Sequence, residues 1–299
     1  MLLSAIILTY NEEKHIARCI NNLKQIASEI FVVDCFSTDN TCRIAKSLGA
    51  FVCQHEYVHQ AQQFQWALDN LPCQGNWIIR MDADEYLSED LVDEINRTLP
   101  LLSEGITGCY LLRDIVFLGR QLKYGRIHPP SILRLWRNGC AKMEQRWMDE
   151  KCELLRGRAI TLKGKFLDHN LNGLTWWTQK HNMYSNRELV VEVGRIYHLF
   201  DETNDSRLKK RNNKKQRYYS LPPFFRAFLY AFVRYILLGG FLDGKPGLIW
   251  AVLQAFWYRF LVDAKIYEMY NQLGSKPSKI NVTNYIDQTL NIKIRQSNE

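Results

Sequence analysis

None of the eight cysteines stands in a Cys-x-x-Cys pair, so neither a zinc knuckle nor a disulfide framework is suggested. No stretch offers about 20 uncharged apolar residues, which leaves no simple membrane-spanning helix. No G-x-G-x-x-G follows the first apolar run, which disfavours a dinucleotide site. The G-x-x-x-x-G-K spacing from Gly239 to Lys245 is followed by Pro246 where a P-loop requires Ser or Thr. Repeats and low-complexity tracts are missing too. The run Met1 to Leu8 lacks a basic lead and a small-residue cleavage site, so it reads as a strand and not a signal peptide. Unpaired thiols then suit a reducing, cytoplasmic setting.

The 299 residues, 46% hydrophobic and 23% charged, are a globular profile for one large domain with an appendage. The net charge of +8 is concentrated. Arg207, Lys209, Lys210, Arg211, Lys214, Lys215 and Arg217 crowd one short run without an acid, and the rest of the chain is near neutral. No aromatic interleaves that run before Tyr218, so nucleic acid is not expected as a partner.

Short β-branched runs alternate with amphipathic stretches over the first 100 residues. Ser4 to Leu8, Ile30 to Asp34, Ala50 to Cys53 and Trp77 to Met81 read as strands, with helices at Glu12 to Leu23, Asp39 to Leu48 and Ala61 to Leu71. That alternation predicts βαβ units and a mostly parallel sheet. Ser88 before Glu89 and Asp90 reads as the N-cap of a helix that Pro100 stops. From about Thr107 the texture turns aromatic and Arg-rich, with strands at Tyr110 to Leu112, Ile132 to Trp136 and Ala159 to Leu162.

Asp82-Ala83-Asp84-Glu85 ends a buried strand, so its carboxylates project from the carboxyl edge of the sheet, where open α/β folds bind ligands. Carboxylates at i and i+2 suit a divalent cation that also grips a diphosphate, although such acids also cap helices. Together with Thr9-Tyr10-Asn11-Glu12-Glu13 at the first βα junction, and Val32-Val33-Asp34 followed by Ser37-Thr38-Asp39-Asn40-Thr41, this set resembles the nucleotide-sugar half of family-2 inverting glycosyltransferases. The nearest branch is the lipopolysaccharide-core β-glucosyltransferase-like one. The resemblance is specific over residues 1–100 and looser to 190.

It implies a GT-A fold, an α/β single domain with helices on both faces of the sheet, here followed by a C-terminal apolar helical region. Residues 1–105 form the nucleotide-sugar half and 106–200 the acceptor half. A basic connector (201–221), a helical hairpin (222–273) and a tail (274–299) complete the division. By position, Thr9, Asn11 and Glu12 surround ribose and base, Asp34 contacts the base, and Asp82 and Asp84 meet the diphosphate and a Mn2+ or Mg2+ ion. His169 is a third metal ligand, a diphosphate contact, or only a loop residue. Arg126, Arg134 and Trp147 are acceptor or phosphate contacts. An inverting transfer needs a carboxylate base. Asp149 and Glu150 are the acidic pair, with Glu150 favoured, and the donor is expected to carry UDP. The runner-up is a non-catalytic nucleotide-binding scaffold of a glycan-assembly complex.

After Pro223, two apolar stretches rich in Phe and Trp, 224–241 and 247–270, are interrupted by Arg226, Arg234 and Arg259. They suggest interfacial helices on an anionic membrane surface at the inner face of the cytoplasmic membrane, close to a glycan or lipid-linked glycan acceptor. The alternative is a hairpin packed on its own domain or on another copy, giving a homo-oligomer.

Overall fold

The structure is a computed structural model that describes residues 2–125, 131–143, 152–199 and 218–292. The chain forms two compact units, one within Met1–Lys123 and Ile127–Leu171, the other within Tyr124–Arg126 and Asn172–Glu299.

In the first unit, strands β1 (Leu3–Thr9), β2 (Glu29–Asp34), β3 (Phe51–Gln54), β4 (Trp77–Asp82) and β5 (Glu85–Leu87) are followed by β6 (Ile106–Phe117), β7 (Arg120–Leu122), β8 (Ile132–Arg137), β9 (Ala141–Met143), β10 (Cys152–Leu154) and β11 (Arg158–Asp168). Helices α1 (Ile16–Leu23), α2 (Thr41–Ser47), α3 (Gln60–Asn70) and α4 (Glu89–Thr98) are set between them. The sheet runs β3-β2-β1-β4-β8-β6-β11-β5, with β7 on β6 and a separate β9-β10 pair. β1 to β4 are mutually parallel, as the continuous apolar runs of β1, β2 and β4 suggest, but β8 pairs antiparallel with β4 and β6, and β5 with β11, so the sheet is mixed and not mostly parallel as the sequence suggests. Side chains alternate between the faces: Leu3, Ala5 and Ile7 enter one core cluster with α1 and α4, while Ile6 enters another with Phe31, Phe64 and Ile78.

The chain runs from β1 outward through β2 to β3, then returns to place β4 on the other side of β1, so the topological switch point lies between β1 and β4. α1 starts later than its amphipathic pattern suggests, because Glu12 to His15 form a turn whose Glu12 carbonyl accepts from the N–H groups of His15 and Ile16. Ser88 caps α4 as expected, its hydroxyl accepting from the Leu91 N–H at 3.3 Å. All eight cysteines are unpaired thiols.

The second unit is helical. α5 (Leu174–Ile196), which the sequence division assigns to the acceptor half, packs Leu189, Val190 and Val193 against Met269, Val282, Tyr285 and Ile286 of C-terminal helices. Part of the expected tail is likewise a helix, Lys279–Leu290, capped by the Ser278 hydroxyl. On α5, His181 stacks on Trp177 with centroids 3.5 Å apart. Burial lowers its imidazole to about 4, against the pull of the Trp177 carbonyl. Below its unfolded pKa near 6.5 the unfolded chain binds a proton that the folded one refuses, so stability is expected to fall as pH drops from about 6.5 towards 4. Urea titrations of the parent and of His181→Phe check this. The variant should lose most of that slope, and an unchanged slope would mean the proton goes elsewhere.

Candidate active site

The strand register gathers the junction residues at one edge of the sheet. Thr9 lies opposite Asp34, and Leu8 opposite Asp82, so β1, β2 and β4 end level beside the switch point. Asp34 is 0% exposed. Its Oδ1 accepts from the Thr9 hydroxyl at 3.1 Å and the Ser37 hydroxyl at 2.5 Å, and its Oδ2 from the Ser37 N–H at 2.8 Å and the Gln54 amide at 3.2 Å. Burial alone would raise this carboxyl, but those donors outweigh it and hold it below the usual value. Asp34 therefore organises the loop after β2, and a nucleobase N–H would have to displace one of its present donors.

Asn11 has φ 54°, a left-handed conformation that Asn tolerates better than most residues. Its N–H donates to the Ser37 hydroxyl and its side-chain oxygen accepts from the Thr38 N–H, both at 2.8 Å, which ties the first junction to the second. Glu12 is engaged by His15. The Leu171 N–H donates to His15 Nε2 at 2.8 Å, so Nδ1 carries the proton and donates to the Glu12 carboxylate at 2.5 Å. Asp39 accepts from the N–H groups of Glu13 and Thr41, a structural role. Phe36 adopts φ 59° with an exposed ring, strain that sequence reading did not anticipate.

Asp82 closes β4, Ala83 and Asp84 turn, and β5 leads away antiparallel to β11, with Glu85 opposite Asp168. That pairing carries His169 to Asp84, whose carbonyl accepts the His169 N–H at 3.0 Å. The Asp84 carboxylate accepts from the Asn170 amide at 2.9 Å. Arg18 of α1, unremarked in the sequence, donates to the Asp84 and His169 carbonyls at 2.9 and 2.6 Å and to His169 Nδ1 at 3.2 Å, while stacking over Tyr86. Since a guanidinium only donates, Nδ1 is the acceptor and the neutral ring keeps its proton on Nε2. Burial first, then Arg18 and His15, lowers the His169 pKa.

Behind these groups lies a buried ion cluster. Arg134, 5% exposed, donates to Glu85 at 2.6 Å and to Asp82 at 3.3 Å, and Gln60 reaches Asp82 from α3 at 3.3 Å. Burial pushes the Glu85 carboxyl up against the pull of Arg134, with Asp82 and Asp168 adding to the rise. Nε and NH1 of Arg134 are buried without a hydrogen-bond partner among the described residues. Arg126, Trp147, Asp149 and Glu150 lie outside the described residues, as does the basic run from Arg207 to Arg217.

Among the described residues no three His, Cys, Asp or Glu side chains converge as a ligand set. The donors fit a sparser arrangement, one or two carboxylates with the remaining positions left to phosphate oxygens and water, which is how Mg2+-like ions are held beside diphosphates. Asp84 and Asp82 suit it. His169 suits it less, because coordination through Nε2 would move the ring proton to Nδ1 and break the Arg18 contact.

Residues 4–148 match the model of glycosyl transferase family 2, so the first unit of the chain carries a domain of that family. The mixed sheet with its parallel strands β1 to β4 is that of a GT-A fold, and a helical C-terminal region follows in the chain. The lipopolysaccharide core biosynthesis glycosyltransferase LpsC of Rhizobium meliloti is 27% identical over 292 residues, 92% of this chain and 95% of that one. An uncharacterised glycosyltransferase of Rickettsia typhi is 45% identical over 93 residues, and the match spans only 31% of the length of each protein. Glucosyl-3-phosphoglycerate synthase from Mycobacterium tuberculosis, solved with Mn2+, UDP and glucosyl-3-phosphoglycerate, superposes with a TM-score of 0.31 at 22% identity over 38% of this chain and 44% of that one, a likeness too slight to carry any inference.

Proposed function

We propose that the protein is an inverting glycosyltransferase that moves a sugar from a nucleotide-sugar, UDP-linked, to a glycan or lipid-linked glycan in surface polysaccharide or lipopolysaccharide assembly, at the cytoplasmic face of the membrane. One observation carries this reading. The register that sets Thr9 against Asp34 and Leu8 against Asp82 brings every nucleotide-side motif to one end of the sheet at its switch point, with Asp84 and His169 beside it.

In this reading the loops after β1 and β2 hold ribose and base, and Asp82 and Asp84 face the diphosphate. A bound Mn2+ or Mg2+ would offset diphosphate charge as the nucleotide leaves. His169, kept neutral by burial and Arg18, presents an Nε2–H donor to the same anion. The Nε and NH1 nitrogens of Arg134, unpartnered among the described residues, are further donors near Asp82, where an anionic ligand would satisfy them. Glu150, or Asp149 in its place, takes the proton of the acceptor hydroxyl, and no covalent intermediate is needed. LpsC, alike over nearly its whole length, supports the lipopolysaccharide setting.

Calorimetry tests the donor side. Asp84→Ala should lower affinity for UDP with Mn2+ by roughly 100-fold or more while leaving the circular dichroism spectrum unchanged. Parental affinity in that variant would remove Asp84 from the site. Release of nucleotide from a panel of nucleotide-sugars separates an enzyme from a scaffold, since a scaffold binds and releases nothing.

A further inference from the structure

In the second unit, the helices Phe225–Leu237 and Gly240–Leu273 meet at a bend of 70°. The bend falls at Gly239, φ 72°, and Pro246 sits in the first turn of the α-helical segment Gly244–Trp250, where no N–H is required of it. Neither helix alone is long and apolar enough to cross a membrane.

The arginines that interrupt these stretches turn inward. Arg226 is buried against Asp263, its Nε 3.0 Å from both carboxylate oxygens. Arg259 pairs with Glu188 at 3.5 Å. Arg234 donates to the Gly125 carbonyl and the Tyr230 hydroxyl, each at 2.7 Å. The outward face is consequently apolar. Phe225, Phe228, Leu229, Phe232 and Ile236 form one exposed stripe at helical spacing, with Phe228 57% and Phe232 53% exposed. Beyond the bend Phe241 and Leu248 are exposed as well, and from Phe225 to Val252 Lys245 is the sole exposed charged residue.

We propose that this bent helix pair lies flat in one leaflet of an anionic membrane. A single apolar face, with the opposite face packed on its own unit, suits an element lying about 5–10 Å deep in the interface and not one that spans it. Lying flat also lets Lys245, close to the bend, extend its ammonium to the headgroups, whereas insertion bend-first would drive that charge into hydrocarbon. The seven cations between Arg207 and Arg217 precede the pair in the chain and match anionic headgroups, a complement that a second copy of the same basic sequence would not supply.

Co-sedimentation of the 299-residue chain with vesicles tests this. Binding to phosphatidylcholine vesicles should strengthen when phosphatidylglycerol is included and weaken with added salt. Phe228→Glu/Phe232→Glu should weaken it about tenfold or more, while the circular dichroism spectrum and UDP binding stay parental, which separates this proposal from the nucleotide site. Phe228→Ser/Phe232→Ser provides a milder comparison should the glutamates perturb folding, and should give a smaller loss of the same kind. Failure to bind either vesicle, or binding undiminished in both variants, overturns the proposal. A dimer that forms without lipid and dissociates in the variants, alongside absent vesicle binding, would assign the face to a second copy instead.

Discussion

Arg134→Met should cost about 3–5 kcal/mol of stability in urea unfolding, because it strips the partner from a carboxylate that the core cannot hydrate. Glu85 is 2% exposed, and its other oxygen accepts the Asp82 N–H at 2.9 Å, so it cannot swing out to water without breaking the turn that carries Asp84. Without the guanidinium, burial drives its pKa further up and the folded state must hold a proton there. The folded chain then binds more protons than the unfolded one between the usual carboxylate range and that raised value, so the variant's stability should decline as pH rises through neutrality. Adding Glu85→Gln should recover much of the loss and flatten the slope. If Arg134→Met unfolds like the parent at every pH, the pair does not hold this end of the sheet together.

Glu150→Gln should lower transfer by roughly 10² or more with donor affinity nearly unchanged, since the amide keeps the size and hydrogen bonding of the carboxylate but cannot take a proton. Asp149→Asn is the paired measurement. A dead Asp149→Asn beside a fully active Glu150→Gln would move the base to Asp149, and two active variants would exclude this acidic pair from the chemistry. Initial rates at saturating donor, with UDP affinity measured separately, distinguish a lost base from a lost binding contact.

The parallel strands were legible because each is a short apolar run bounded by turn residues, a pattern set by neighbours in sequence. The Ser88 cap was legible for the same reason: capping is a local exchange between a hydroxyl and an N–H three residues on. The positions of Thr9, Asp34 and Asp82 at the ends of those strands followed directly. What the side chains do there did not follow. Asp34 reads as a base contact, yet its oxygens are taken up by Thr9, Ser37 and Gln54, and Glu12 is engaged by His15. Such partners become visible only once register sets the strands side by side.

By itself the sequence determined the parallel strands β1 to β4, the end of them that carries the motifs, and the acidic residues at the end of β4, since all of these depend on composition and spacing within a few residues. Tertiary structure alone decided the rest. Arg18 reaches His169 across 151 residues of chain and Asp84 across 66, and that bracket, not spacing, directs the imidazole. Helix α5, which the sequence division counts with residues 106–200, groups with the C-terminal helices instead because its apolar face finds Met269, Val282 and Ile286. The arginines of the C-terminal helices, which count against membrane contact in any reading of hydropathy, are directed inward by Asp263 and Glu188. A charge acts on its surroundings according to where its partner lies, and the partner's position is a property of the folded chain, not of the sequence window in which the charge is read.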